Sequence, residues 1–439
     1  MPERSAVSRG LIRLALVALI AGALTGVAGG LFRLALVEAD KLRLAVLAFS
    51  HQYPYFGWLF PVLGAAICVG LARFLVRFQP LAGGSGVQHV EAVLRGEDAP
   101  ASPGVMPVKF VGGVLAIGAG MALGREGPTV QMGSIIGSWT GRLLHLSAED
   151  ISSLQAATAG AGLGVAFNAP LGGTLFVFEE VARVFQPRLV IITLAACGVA
   201  MAVAQQILGN PIDFNVKPLE IPGLWTLIPY LGLGLLLGAL SVAYNRLIVT
   251  GLDVFERFTA LPVELRAALI GAVVGAIAWF EPQLVGGGEF IGQQILAGSL
   301  SLTTLTVIFI VRWFLGPFCY SAGTPGGLFA PLLVVGAAFG LLYATLLQTL
   351  LPELGLQLTG FAIVGMTAFF VGVVRAPLTG IALVAELTAT TSLLVPMLIA
   401  TFGAMLAATL LGSEPIYDTL RHRMLRKMSK PAATRPAGS

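Results

Sequence analysis

Six long apolar runs dominate this chain and restrict what it can fold into. About 20 apolar residues in a helix span the roughly 30 Å hydrocarbon core of a bilayer. Only 11% of the 439 residues are charged and 56% are hydrophobic, whereas a soluble domain carries about 25% charged residues. The sequence therefore predicts an all-α integral membrane protein with one transmembrane domain over residues 1–439. The six runs of spanning or near-spanning length are Leu11–Leu34, Trp58–Val76, Leu189–Leu208, Leu224–Leu240, Leu328–Leu351 and Leu393–Leu411.

Three other apolar stretches are shorter or are interrupted by glycine and proline. They are Val105–Leu123, Leu154–Val165 and Leu171–Phe178. Irregular backbone at membrane depth is tolerated only where protein or a water-filled cavity surrounds it. These stretches therefore predict half-helices buried inside a helical bundle.

Basic residues are concentrated at the two ends of the chain. The head carries three arginines before or within the first apolar run, against the single acid Glu3. Residues 419–439 form a basic tail, in which we expect contact with anionic lipid rather than with nucleic acid. Under the positive-inside rule both termini are predicted to be cytoplasmic. The first run exceeds the usual length of a signal-peptide core, so we interpret it as a retained first helix.

Several short motifs occur twice, in the same order and at nearly constant separation. This pattern predicts two homologous halves, residues 10–215 and 216–418, and internal repeats with broken helices are typical of transporters. Spacing alone does not decide whether the halves run parallel or inverted. The paired motifs are Val108–Phe110 with Val311–Trp313, Gly124–Pro128 with Gly327–Pro331, and Ala169–Gly173 leading to Glu179 with Ala376–Gly380 leading to Glu386.

Glu126 is the acid that most needs explanation. It lies in Gly124–Pro128, within a long apolar part of the chain. A carboxylate at membrane depth costs roughly 2.5–3.5 kcal/mol on insertion scales and tends to mark an ion pathway or a proton relay. The surrounding glycines and Pro128 predict the start of a helix, where an anion is otherwise favoured. Glu126 is therefore a candidate for a titratable group in an ion path.

Three segments predict helix starts inside the membrane: Gly83–Val87, Gly124–Pro128 and Gly326–Pro331. Their glycines allow the backbone to approach a ligand, and their free N–H groups favour negative charge. Ser85 adds a neutral hydroxyl donor. Such a site would bind a desolvated anion without a full positive charge, so that the ion could leave again.

These motifs resemble those of the CLC family of chloride channels and proton-coupled chloride transporters. The resemblance rests on motifs that keep the family's order over roughly residues 10 to 425. They are G-S-G at Gly84–Gly86, G-R-E-G-P at Gly124–Pro128, Phe167–Leu171 followed by Glu179 and Glu180, G-x-F-x-P at Gly327–Pro331, and a tyrosine near the C-terminus at Tyr417. The resemblance implies a fold of tilted and broken transmembrane helices in an inverted repeat, usually assembled as a homodimer in the bilayer.

The resemblance also implies roles for individual residues. Chloride would be bound by the hydroxyls of Ser85 and Tyr417 and by the backbone N–H groups of Leu328 and Phe329. Glu126 would be the gate, which occupies the anion path when ionised and leaves it when protonated. Glu180 would transfer protons on the inner side. No metal, cofactor or catalytic residue is implied.

Chloride–proton exchange across a bacterial plasma (inner) membrane is the function that this resemblance implies. A passive voltage- or pH-gated chloride channel of the same fold and a fluoride exporter remain alternatives. The serine segment continues as Val87-Gln88 instead of the family's usual Ile-Pro, which bears on anion selectivity. Because only a short segment follows Tyr417, we expect none of the cytoplasmic regulatory domains of many eukaryotic relatives.

An intramembrane serine protease is the alternative from another class, because Gly83–Gly86 also matches G-x-S-G. Such an enzyme needs a histidine within hydrogen-bonding reach of Ser85, and only His89 lies nearby in sequence. We therefore expect a transporter and not an enzyme.

Overall fold

The computed structural model describes residues 2–209, 214–298 and 300–429, which form seventeen α-helices. Residues up to 209 form α1 (Pro2–Ser50), α2 (Leu59–Val76), α3 (Val87–Leu94), α4 (Val105–Gly118), α5 (Glu126–Leu143), α6 (Ala148–Phe167), α7 (Pro170–Phe176) and α8 (Pro187–Leu208). Residues from 214 onward form α9 (Leu227–Arg257), α10 (Val263–Phe280), α11 (Glu289–Leu296), α12 (Leu302–Ser321), α13 (Phe329–Leu350), α14 (Leu358–Val374), α15 (Pro377–Thr388), α16 (Leu394–Leu410) and α17 (Ile416–Ser429).

Seven helices of the described chain are long and apolar enough to cross a membrane: α1, α2, α8, α9, α10, α12 and α13. Two of them, α10 and α12, were not among the six runs. Charged residues such as Arg266 and Arg312 interrupt their apolar pattern, although Arg312 is buried against backbone carbonyls. An apolar-run criterion misses helices of this kind because it counts a satisfied buried charge as a break.

The prediction for Leu154–Val165 was wrong. This stretch is part of α6, a continuous helix of 20 residues, rather than a half-helix. Its glycines serve close packing: a Cβ on Gly162 would contact the backbone carbonyl of Thr129 in α5. Val105–Leu123 does contain a break, since α4 ends at Gly118.

Two acids connect the parts of the chain before and after residue 214 in a reciprocal way. The Glu179 carboxylate accepts hydrogen bonds from two backbone N–H groups in the first turn of α15, at 2.9 and 2.6 Å. The Glu386 carboxylate accepts two from the first turn of α7, at 3.0 and 2.8 Å. Each acid therefore stabilises the start of the helix that carries the other, as expected of a pseudo-two-fold arrangement.

Two buried cations form a second matched pair. Lys109 on α4 donates to two backbone carbonyls in the segment before α3, at 3.0 and 2.8 Å. Arg312 on α12 donates to three carbonyls in the segment before α11, at 2.8 to 3.1 Å. In both segments a left-handed glycine precedes the helix, Gly86 at φ 92° and Gly288 at φ 101°. Sequence analysis paired the motifs that carry Lys109 and Arg312, but it did not pair the two segments that these cations hold, because Ser85 has only a glycine opposite it.

The basic tail begins as the helix α17, which packs against α3. Arg421 is buried and pairs with Glu97 and Asp418, so this part of the tail contacts protein. Residues 430–439 of the predicted tail and residues 210–213, shortly before the predicted junction at 215–216, lie outside the described residues.

Candidate functional site

The three glycine-rich segments that predicted helix starts lie together. Gly84 donates to Thr324 O and accepts from Gly326 N, both at 3.1 Å. Gly124 and Gly327 exchange two backbone hydrogen bonds, at 2.8 and 2.7 Å. The starts of α3, α5 and α13 therefore meet at one point in the interior, with their N–H groups directed into a shared region.

Glu126 lies at the centre of this region. It is the first residue of α5 and is fully buried. Its Oε1 accepts a hydrogen bond of 2.6 Å from the backbone N–H of Phe329, the first residue of α13. Leu328, the other predicted backbone donor, is buried immediately before α13. The carboxylate thus occupies a helix N-terminus that suits an anion.

Gly127 allows the serine segment to approach Glu126. A Cβ at this position would lie 2.7 Å from the carbonyl oxygen of Ser85 and 2.9 Å from its Cα. Any larger residue would force the start of α3 away from the start of α5. The glycine after the acid in G-R-E-G-P therefore has a packing reason in this chain.

Ser85 and Tyr417 present two buried hydroxyl groups to the same region. The hydroxyls face each other, and neither has a hydrogen-bond partner of standard geometry within the described residues. The Tyr417 ring lies 5.6 Å from the ring of Phe329, measured between centroids. Buried hydroxyls are normally bonded, so this pair is suited to donate to a ligand beside the start of α13.

The helix after Ser85 begins at Val87 without the proline usual in the family. Gly86 turns the chain in a left-handed conformation that a residue with a Cβ adopts poorly. Gln88 is the second residue of this helix.

Arg125 does not pair with Glu126. Its guanidinium forms an ion pair with Glu289 of α11, and its Nε donates to Ala166 O at 2.6 Å. Adjacent residues at a helix start point in different directions. The carboxylate of Glu126 is therefore directed to backbone N–H groups rather than to a side-chain cation.

Glu180 lies in a second acidic group. It is buried in a π-helical turn, Val177–Val181, which continues α7. Its Oε2 accepts from Arg183 at 3.3 Å. π-turns are rare and occur often at functional sites, and this one directs Glu179 to α15 and Glu180 to α3.

Glu91 is the residue that sequence reasoning missed. It is fully buried on α3, close enough to Glu180 for the two carboxyl groups to interact electrostatically, and its two carboxyl oxygens have no hydrogen-bond partner within the described residues. Two buried carboxyl groups that interact in this way favour a proton on one of them. The available signal was an acid in the short helix that directly follows Ser85.

A set of ion pairs surrounds the two inner acids. Asp418 of α17 pairs with Arg183 at 3.1 Å and with Arg95 at 3.2 Å. The cluster therefore joins α3, the π-turn and α17, and α17 also carries Tyr417. The described residues contain no group of three or more His, Cys, Asp and Glu side chains that could hold a metal ion.

A family model described as "Voltage gated chloride channel" matches residues 68–409. The chain belongs to the CLC family. It is 40% identical over 420 residues to the H(+)/Cl(-) exchange transporter ClcA of Cronobacter sakazakii, covering 94% of this chain and 90% of the relative. It is 38% identical over 427 residues to the protein of the same name in Citrobacter koseri, covering 96% and 90%.

A solved structure described as a slow cyanobacterial Cl−/H+ antiporter resembles this CLC protein closely. The TM-score is 0.91 at 33% identity, and the match covers 95% of this chain and 99% of the other. The family resemblance and the all-α, multi-pass membrane fold are thereby confirmed.

Proposed function

We propose that this CLC protein exchanges chloride for protons as a secondary active antiporter. The observation that carries the proposal is the hydrogen bond from Phe329 N–H to the Glu126 carboxylate. A titratable group occupies the place where a helix N-terminus would otherwise hold an anion. Relatives named as H(+)/Cl(-) exchange transporters, at 38 and 40% identity over almost the whole chain, support the same function.

Competition for the start of α13 links the two ions. An ionised Glu126 blocks the anion path by accepting from Phe329. A protonated Glu126 is a weaker acceptor, because neutral hydrogen bonds have about half the strength of charge-assisted ones. Chloride then takes its place, bound by the backbone at Leu328 and Phe329 and by the hydroxyls of Ser85 and Tyr417.

Proton transfer on the inner side is assigned to Glu180, assisted by Glu91. The electrostatic interaction between these two buried carboxyl groups, whose oxygens include three without a hydrogen-bond partner in the described chain, supports a proton held by the pair. Arg183 and Asp418 hold Glu180 in orientation. Protons would therefore reach Glu126 from one side by way of acids, while chloride uses the helix starts.

The setting of the protein is part of the proposal. We infer a homodimer in the inner membrane, with lipid around it and both termini cytoplasmic. Exposed apolar side chains on α7, α8, α15 and α16 support the dimer surface; among them are Leu171, Leu194, Leu378, Leu398 and Phe402. Chloride and protons are the partners, and no nucleic acid or cofactor is required.

Enzymatic activity at Ser85 is not part of the proposal. A serine nucleophile needs a base within hydrogen-bonding reach. His89 instead faces Asp98, with Nε2 3.5 Å from Oδ2. This geometry supports a ligand-binding role for the Ser85 hydroxyl.

Paired flux measurements in proteoliposomes test the function. Under a chloride gradient the unmutated protein is expected to drive protons uphill. Glu126→Gln keeps the shape of the side chain but removes its titration, so proton movement should fall to that of protein-free liposomes while chloride still passes. Chloride flux with no coupled proton flux in the unmutated protein would favour the passive channel instead.

A further inference from the structure

A basic cavity of about 400 Å³ lies beside the segment that carries Ser85. Arg73 of α2, Arg266 of α10, and Arg423 and Lys427 of α17 line it. Glu256 is its one lining acid. Cations from three different helices therefore face one space, which none of the roles proposed above requires.

Two of these cations are neutralised and two are not. Arg423 and Lys427 form ion pairs with Asp253 and Glu256 of α9. Arg73 and Arg266 have no carboxylate oxygen within 4.0 Å in the described part of the chain, although Glu264 interacts with Arg73 at longer range.

Both arginines keep donor capacity. Among the described residues, the one hydrogen-bond acceptor of Arg73 is Gly323 O, at the long distance of 3.5 Å. Arg266 donates to Phe255 O. The Nε atoms of Arg73 and Arg266 are buried and have no hydrogen-bond partner within the described residues. Guanidinium groups with free donors favour a phosphate or carboxylate.

An apolar groove of about 720 Å³ continues directly from this cavity. It lies between α9, α10 and α12, and the groove and the cavity share Phe255, Arg266 and Ser321 in their walls. Arg266 lies over the Phe255 ring, with its Cζ 4.7 Å from the centroid. Its charged end thus marks the point where apolar surface gives way to basic surface. Exposed side chains such as Val273, Ile310 and Phe314 open the groove to the bilayer.

We propose that the groove and the basic cavity together bind one anionic phospholipid. An acyl chain would lie along the groove, and the phosphate would accept hydrogen bonds from Arg73 and Arg266. A soluble phosphate would leave the groove unused, and a zwitterionic lipid would bring its own cation to the arginines. Tyr320 lines the cavity and accepts a 3.4 Å hydrogen bond from Ser85 N, so the headgroup would lie against the serine segment.

Native mass spectrometry of the full-length protein in detergent tests this inference with phosphatidylglycerol as the probe. Arg73→Gln/Arg266→Gln should reduce phosphatidylglycerol adducts about tenfold or more, because each basic side chain contributes about 1 kcal/mol. Arg77→Gln, which removes an exposed arginine at the end of α2, is the matched control and should leave the adducts unchanged.

A second variant tests the groove without touching the cations. Gly251→Leu adds a side chain to the groove wall, and its Cβ would meet only ordinary contacts, 3.5 Å from Pro317 O and 3.7 Å from Ser321 Cβ. It should weaken phosphatidylglycerol binding with no loss of folding.

Three results would overturn the inference. The first is an unchanged level of phosphatidylglycerol adducts in both Arg73→Gln/Arg266→Gln and Gly251→Leu. The second is binding of phosphatidylethanolamine as strong as that of phosphatidylglycerol. The third is full displacement of phosphatidylglycerol by glycerol phosphate, which lacks acyl chains. Because the readout is lipid binding, failure here would leave the flux tests of exchange unaffected.

Discussion

The helix starts of α5 and α13 occupy corresponding places in the two sequence repeats, yet they have opposite roles. The first offers the titratable acid Glu126, and the second offers the backbone N–H of Phe329 that binds it. By contrast, Lys109 and Arg312 hold corresponding backbone segments in the same way. In the two predicted halves, positions that support the scaffold carry the same chemistry, whereas positions at the proposed ion path carry different chemistry.

The reciprocal acids sharpen this difference. Glu179 and Glu386 each hold a helix start in the other half through two backbone N–H groups. Glu180 follows Glu179 directly but faces Glu91 and Arg183 instead. Adjacent carboxylates therefore serve a structural contact and a proposed proton route.

After Glu126→Gln, the largest effect is expected from Glu180→Gln. Its proton flux should fall roughly a hundredfold, which is the lower end of the range of rate losses for removing a positioned proton-transfer group. Its chloride flux should fall less. Glu179→Gln is the matched control and should not separate the two fluxes. Liposome assays that record both ions give the ratio of proton flux to chloride flux. An equal loss of both fluxes in Glu180→Gln would indicate a folding role.

Lys109→Met and Arg312→Met test the matched cations. Lys109→Met leaves two buried carbonyls without this donor and Arg312→Met leaves three. At about 1–3 kcal/mol for each orphaned group we expect about 2–6 and about 3–9 kcal/mol of destabilisation. Thermal unfolding in detergent measures the effect. Arg312→Lys should be milder, since it keeps a donor. If Lys109→Met kept the full stability of the unmutated protein and only Arg312→Met were destabilised, the two cations would not be equivalent.

Glu179→Gln and Glu386→Gln should destabilise the protein by similar amounts, about 1–2 kcal/mol each, because both weaken a charge-assisted helix cap. Equal shifts in the unfolding temperature would support the reciprocal arrangement. A large shift for one variant and none for the other would show that the two contacts are not equivalent.

Ser85→Ala should produce the smallest effect. Loss of one hydroxyl donor removes about 1 kcal/mol, or about fivefold in chloride affinity by calorimetry. The counterpart Gly287→Ala fits sterically, since its Cβ would lie 3.6 Å from Leu123 O, and should leave affinity unchanged. Equal weakening by both variants would argue against a specific role for Ser85.

The fold was predictable because the motifs of this chain resemble those of the CLC family, and the same resemblance implied that the main site residues lie together. Ser85, Glu126, Phe329 and Tyr417 lie at or beside helix starts, which glycine and proline mark in the sequence. The continuity of α6 was not predictable in the same way. Its glycines indicate a break when they are considered alone, but in the fold they allow α5 to pack closely against it.

Contacts between distant acids also escaped prediction. Glu91 lies in a short helix with polar neighbours, and its burial depends on the π-turn Val177–Val181 and on α17, which come much later in the chain. Likewise, only the structure pairs Glu179 with α15, because a reciprocal cap requires the relative placement of both halves. A local sequence pattern does not identify the long-range partners of charged groups.

Anomalous diffraction from crystals soaked in bromide tests the central claim, that Glu126 occupies an anion position, most directly. In Glu126→Gln a bromide peak is predicted within hydrogen-bonding distance of Phe329 N, while in the unmutated protein the carboxylate should hold that place. A variant with no bromide at the start of α13, or an unmutated protein with bromide and the carboxylate both bound to Phe329 N, would contradict the account.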